Sequence, residues 1–331
     1  MIISRTPFRI SFFGGGTDYP VWYSENKGSV INVTINKYCF ITARYLPPFF
    51  DYKYRIRYYK KEEVSNINDI NHPSVRNCLK FSSIEKGVEI VHHADLPALS
   101  GLGSSSTFTV GLLNSLYALK GYMPTKKELA NNAIHIEQEL IGEHVGSQDQ
   151  TAAAFGGLNR INFGGRENII VNPVIIPNKR LDELENHLML FFTGFSRRAS
   201  EIAASQIKAT PKKTTELNKM MEILEEAHKI LKDESTSIRE FGRLLNNQWE
   251  IKRSLTEKIS STEIDNIYNE GINAGALGGK LLGAGGGGFI LFFAKPEVQP
   301  IIKEKLKQLL YVPFRFDYTG SQIIYYSHNN K

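Results

Sequence analysis

Along the first sixty residues, apolar and polar positions follow the two-residue period of strands. Residues 28–44 are dense in β-branched and aromatic side chains, and Tyr54, Ile56 and Tyr58 alternate with Arg55, Arg57 and Tyr59. The pattern then lengthens to the helical period. Helices are predicted over 73–81, 104–119 and 125–140, the last with Thr125 as its cap and Glu128 three residues on. Strand-like runs return at 156–163 and 169–176. A polar stretch near 178–187 is read as the boundary between a first domain, 1–185, and a second, 186–331. The second opens on the buried strand Leu-Met-Leu-Phe-Phe at 188–192 and continues with helical segments at 197–233 and 236–259. It closes with a strand at 289–293, a helix at 298–310 with Lys303 and Lys307 on its wet face, and strands at 312–318 and 322–326. Strands and helices mixed without regular βαβ alternation predict an α+β fold rather than a doubly wound sheet.

The bulk properties fit a two-domain globular enzyme: 331 residues, 41% of them apolar, with a formal charge of +6. That excess suits phosphorylated substrates but lacks the dense basic run of a nucleic-acid footprint, so no nucleic-acid partner is expected. The aromatic and basic stretch at 52–61 is read as a strand rather than an RNA-stacking surface. No apolar run reaches the about 18 residues needed to span a bilayer, and 1–5 do not open a secretory signal, so a cytoplasmic protein without a membrane partner is expected. Cys39 and Cys78, too few for a disulfide scaffold or zinc site, are read as reduced packing residues. His92, His93, His135 and His144 show no ligand spacing and are assigned structural or surface places.

Three glycine-rich segments stand out: Arg9-Ile-Ser-Phe-Phe-Gly-Gly-Gly-Thr-Asp18, Ser100-Gly-Leu-Gly-Ser-Ser-Ser106 and Gly283-Ala-Gly-Gly-Gly-Gly288. The second immediately precedes a helix, whose first N–H groups lack intrahelical partners and carry the positive end of the dipole, so it reads as a phosphate cradle or, more blandly, a serine-capped helix after a glycine turn. It is neither a Walker A loop, because no Lys follows in the Gly-Lys-Ser/Thr arrangement, nor a dinucleotide fingerprint. The third segment is expected to shape close backbone packing.

Taken in order, these motifs resemble the GHMP kinase superfamily, which includes galactokinase, homoserine kinase, mevalonate kinase and phosphomevalonate kinase. Residues 6–19 line up without gaps on the galactokinase signature, 99–106 match the Gly-Leu-Gly-Ser-Ser loop, and 279–288 resemble the third motif. The resemblance implies an N-terminal domain with a left-handed βαβ element, a C-terminal ferredoxin-like domain, an active site between them, and ATP and Mg²⁺ as cofactors. It implies ATP phosphates on Gly101, Leu102, Gly103, Ser104, Ser105 and Ser106. Asp149 would be the catalytic aspartate that receives the acceptor proton, with Arg9 as the fixed guanidinium beside it. Gly14, Gly15, Gly16, Thr17 and Asp18 would bind the sugar. Glu137, twelve residues before Asp149, would hold Mg²⁺ with Ser105, Glu139 being the competing choice. The Gly-Gly-Gly-Thr-Asp-Tyr-Pro form resembles the sugar kinases acting at an anomeric hydroxyl, with D-glycero-D-manno-heptose 7-phosphate as the implied acceptor. A phosphorylated sugar needs a basic handle, for which Arg197, beside Arg198, is selected. Two other readings stand beside this one: a kinase of an unphosphorylated sugar such as fucose, and a non-catalytic sugar or nucleotide sensor on the same fold. The oligomeric state is not fixed by the sequence.

Overall fold

A computed structural model of the chain describes residues 1–98, 100–165, 168–194 and 199–327. Its strands are β1 (Ile2–Phe13), β2 (Gly28–Tyr45), β3 (Tyr54–Arg57), β4 (Lys61–Val64), β5 (Val88–Ala94), β6 (Leu158–Phe163), β7 (Ile169–Pro173), β8 (Leu188–Phe192), β9 (Gly278–Leu281), β10 (Phe289–Phe293), β11 (Leu310–Tyr311), β12 (Phe316–Asp317) and β13 (Gln322–Tyr326).

The first sheet is organised by β2, 18 residues long. One edge of it runs antiparallel to β1, with Arg9 opposite Thr34; the other pairs with β6 through residues 28–33 and with β5 through 39–45. Only β3 and β5 are parallel among the described pairs of this sheet. Four helices, Pro73–Phe81, Ser104–Leu119, Lys126–His135 and Gln148–Phe155, form a layer in which Ser104–Leu119 is central, packed on β1, β2 and its three neighbours. It is therefore buried nearly all round, consistent with its run of apolar side chains. Thr125 does cap its helix, accepting from the Glu128 N–H at 3.1 Å.

The second sheet has the antiparallel order β11-β8-β10-β9, the ferredoxin-like 4-1-3-2 arrangement when its strands are numbered by themselves. The helices Thr214–Lys232 and Arg239–Arg253 pack against each other, the first on β1 and β2 and the second on β9 and β1. The two halves share an apolar junction: Phe12 and Phe13 of β1 meet the Phe241 ring edge-on at 5.4 and 5.0 Å. Cys39 and Cys78 are free and buried in the core.

Several sequence expectations change. The closing strands, placed by pattern in a 186–331 domain, return to the first sheet: β12 pairs with β2 and β13 with β1. The period of a strand carries no information about which distant edge it completes. The polar stretch at 178–187 is a helix, Asn178–Asn186, whose buried Arg180 donates to the carbonyls of Ile230 at 2.6 Å and Thr236 at 2.8 Å. The segment 197–233 is not one helix: Pro211 interrupts it, leaving Ala199–Ala209 and Thr214–Lys232 joined by a short 3₁₀ turn. The segment at 52–61 is a hairpin arm that ends at Arg57.

Candidate active site

A cleft lined by residues of both domains opens between the two sheets. Its floor is built on β1. There Arg9, 3% exposed, uses its whole fork: Nε and Nη2 donate to the two carboxylate oxygens of Asp149 at 2.8 and 2.7 Å, and Nη1 donates to the Gly101 carbonyl at 2.8 Å. Its backbone N–H donates to the Leu102 carbonyl at 3.2 Å. One side chain thus fixes both Asp149 and the glycine loop, a task suited to a rigid planar guanidinium. Asp149 lies in the first turn of Gln148–Phe155, where the helix dipole favours a carboxylate.

The loop reaches its helix through Gly103 at φ +77°, and a Cβ there would lie 3.2 Å from Asp149 Oδ2. Ser104 and Ser105 line the cleft at the helix N-terminus. Ser106, also at the cleft wall, turns inward and donates to Glu137 Oε2 at 2.7 Å. Leu102 is fully buried and supplies packing rather than a cleft surface.

Glu137 sits in a π-helical turn, Ile136–Ile141, that continues Lys126–His135. Such wide turns re-aim side chains and recur at functional sites. The residue is completely buried; Gln150 Nε2 also donates to Oε2, whereas Oε1 makes no hydrogen bond among the described residues, the neighbouring Thr109 hydroxyl being donated to the Ser105 carbonyl at 3.2 Å. Burial pushes its carboxyl up to about 7. Glu139 faces outward, paired with His135 at 2.8 Å. Glu137 meets Ser106 directly, because helical rotation of about 100° per residue turns Ser105 outward and Ser106 inward; the expected sharing of Mg²⁺ by Glu137 and Ser105 is a separate matter that this contact leaves as a proposal. Among the described residues no three His, Cys, Asp or Glu side chains form a metal cluster.

In the loop after β1, Gly15, Gly16 and Asp18 line the cleft. Asp18 Oδ1 accepts from the Gly16 N–H at 2.9 Å, and burial, with the Asp149 charge adding to it, raises its carboxyl. Gly14 and Thr17 are buried behind the loop, the Thr17 hydroxyl lying 2.8 Å from the Gly14 carbonyl and 3.0 Å from that of Ser29. They hold its shape and do not line the cleft. Arg197 lies outside the described residues.

Among the cleft residues that sequence reasoning missed, four carry polar or ionisable groups of particular interest. His144 is at the wall. Gln206, 3% exposed, turns Nε2 toward Gly16, without a hydrogen-bond partner among the described residues. Lys252 and Lys280, 4% and 1% exposed, come from the second domain and donate to the carbonyls of Gly283 and Phe12. Burial, followed by the Arg9 charge, lowers Lys252 to about 8; burial, followed by the charge of Lys252, also lowers Lys280. A signal for Lys252 existed: it continues the stripe of Phe241, Leu244, Leu245, Gln248 and Trp249, so a lysine occupies the buried face of its helix.

The third glycine segment closes on the loop, as expected. A Cβ on Gly283, at φ +73°, would stand 2.5 Å from Gly101 Cα, and the Phe289 N–H donates to the Ser100 carbonyl at 3.2 Å.

Comparison with known proteins agrees with this arrangement. Residues 73–157 match the GHMP kinases N terminal domain and residues 223–312 the GHMP kinases C terminal domain. The chain is 33% identical over 324 residues to a D-glycero-alpha-D-manno-heptose 7-phosphate kinase from Campylobacter jejuni, covering 94% of this chain and 95% of that one. It is 25% identical to an L-fucokinase/L-fucose-1-P guanylyltransferase from Bacteroides fragilis, covering 93% of this chain but 36% of the larger protein. A crystal structure of a D-glycero-D-manno-heptose 1-phosphate kinase from Bacteroides thetaiotaomicron superposes with a TM-score of 0.74 at 25% identity, covering 99% of this chain and 100% of that one. Two matched domains, a relative one third identical over nearly the whole chain and a fold shared end to end make this chain a member of the GHMP kinases, a phosphotransferase that uses ATP and an alcohol group of a sugar as acceptor.

Proposed function

We propose that this kinase phosphorylates the anomeric hydroxyl of D-glycero-D-manno-heptose 7-phosphate, giving the 1,7-bisphosphate for nucleotide-activated heptose synthesis. The observation that carries the chemistry is the Arg9–Asp149 clamp at the mouth of the phosphate loop. The acceptor is supported by the name of the Campylobacter jejuni relative and by Gly15, which lines the cleft with open space where a side chain would stand.

In this reading Asp18 accepts hydrogen bonds from sugar hydroxyls, and Asp149 receives the proton of the attacking hydroxyl. The acceptor oxygen bonds to the γ-phosphorus, the bond from that phosphorus to the β–γ bridging oxygen breaks, and ADP leaves with the electron pair. Arg9 fixes the carboxylate and adds positive charge where the transferring group gathers negative charge. The ATP phosphates rest on the N–H groups of the loop and on the Ser104 and Ser105 hydroxyls. Glu137 fits a hard cation together with Ser105 or Ser106, since Ser106 sets a second oxygen beside its carboxylate and Oε1 takes no geometric hydrogen bond among the described residues. When bound there, Mg²⁺ neutralises charge on the phosphates. Arg197 remains the proposed handle for the 7-phosphate.

The test is ADP release with Mg²⁺-ATP and four acceptors: heptose 7-phosphate, the unphosphorylated heptose, mannose and fucose. Turnover of the 7-phosphate alone supports the proposal, and turnover of fucose with none of the 7-phosphate overturns it. Fucose is included because of the resemblance to the fucokinase of Bacteroides fragilis.

A further inference from the structure

The mechanism above leaves two buried cations unused. Lys252 and Lys280 both line the cleft, and a buried ammonium with one carbonyl partner retains two N–H donors. Burying a cation this completely is costly unless an anion meets it. The carboxylates within electrostatic reach do not supply that partner: Asp149 has both oxygens on Arg9, and among the described residues neither lysine forms an ion pair with Asp18 or Asp149.

The two lysines are anchored to different elements of the floor. Lys280, on β9, reaches the Phe12 carbonyl of β1, and Asp18 acts on both ammonium groups. Lys252 is tied to Gly283, and Gly283 is packed against Gly101, whose carbonyl is held by Arg9. The Lys252 ammonium therefore stands one backbone contact from the phosphate loop, within electrostatic reach of the clamped Asp149. A group beside both the phosphate loop and the carboxylate that meets the acceptor hydroxyl lies where the phosphoryl group travels between them.

We propose that Lys252 is a catalytic residue whose ammonium contacts the γ-phosphoryl oxygens of bound ATP, with Lys280 as the positioning residue that ties the second domain to β1 beneath it. The charged groups facing Lys252 are Arg9 from β1, Asp18 from the loop after it, Asp149 from Gln148–Phe155 and Lys280 from β9. With all five ionised, an arriving phosphoryl group finds one net positive charge on the floor. Burial and the Arg9 charge lower the proton affinity of Lys252, and an arriving phosphate dianion raises it again, so the ammonium is held more firmly once the phosphate is bound.

The proposal rests on ATP occupying this loop and not on the identity of the sugar. Its test is titration calorimetry of the wild type, Lys252→Met and Lys252→Arg with Mg²⁺·AMP-PNP and Mg²⁺·ADP, without acceptor. Loss of a charge-assisted contact to the γ-phosphate weakens AMP-PNP binding to Lys252→Met by about 10-fold or more, with ADP binding within about 2-fold of wild type and partial recovery in Lys252→Arg. Equal losses for both nucleotides, or no loss for either, overturn it. If Lys252→Met does not fold, Lys252→Gln, which still donates to the Gly283 carbonyl, carries the same comparison. A wild type that binds neither nucleotide overturns the occupancy of the loop itself, a different failure from a variant without nucleotide discrimination.

Discussion

Gly283 presses on Gly101: a Cβ at position 283 would stand 2.5 Å from the Gly101 Cα. The second domain therefore supports the glycine loop by a backbone-to-backbone contact, from a residue already at φ +73°. Gly283→Ala adds left-handed strain of about 1–2 kcal/mol and a backbone collision that no rotamer change relieves. The expected result is a KM for ATP raised by about 10-fold or more with a lower melting temperature, read by steady-state kinetics and thermal unfolding. An unchanged KM for ATP would show that the loop does not depend on this support.

Asp149→Asn keeps the size of the side chain but removes the proton acceptor. A kcat lowered by roughly 10²–10⁴-fold is expected, with KM values little changed. Comparable turnover in the mutant would exclude Asp149 as the base. Thermal unfolding gives an independent reading, because the substitution also leaves the buried Arg9 guanidinium with a weakened partner.

Glu137→Gln separates stability from function. The folded carboxyl titrates at about 7 rather than its ordinary 4.5, so the folded state binds more protons between those values and the wild type loses stability as pH rises from 4.5 to 7. The shift corresponds to on the order of 3 kcal/mol. Glu137→Gln should therefore melt above the wild type at pH 8, with the gap narrowing toward pH 4.5. At pH 8 it should also need more Mg²⁺ for half-maximal activity. A Mg²⁺ requirement equal to that of wild type would separate Glu137 from the cation.

Thr125→Ala removes the cap of Lys126–His135, the helix that leads to Glu137. A loss of about 1 kcal/mol in chemical denaturation is expected, with kcat/KM unchanged, because the cap is remote from the cleft and acts on helix stability. A large loss of activity would mean that the π-helical turn depends on an intact first turn.

Residues 104–119 announce their helix because helical period and a glycine start are local properties, and Thr125 announces its cap for the same reason. Pro211 is equally local, and it decides the break in 197–233. What failed was of another kind. The sequence of β13 has strand period but no mark of β1, its partner 317 residues away between Arg5 and Gln322. Serine identity could not choose between Ser105 and Ser106 for Glu137, because helix phase at the first turn decides it.

The chain's residues alone determined the three glycine segments, the helix that opens at the phosphate loop, the cap at Thr125 and, through resemblance, the family. These depend on backbone conformation and short-range spacing, which a linear sequence carries. Only the tertiary structure decided that Lys252 and Lys280 reach the cleft floor, that Glu137 turns inward while Glu139 turns out, and that Gly283 rests on Gly101. Each of those is a meeting of residues distant in the chain: the lysines and Gly283 arrive where the two halves join through Phe12, Phe13 and Phe241, Glu137 is enclosed by Ser106 and Gln150 within the first helix layer, and the burial that results is what shifts Lys252 and Glu137 away from their ordinary proton affinities.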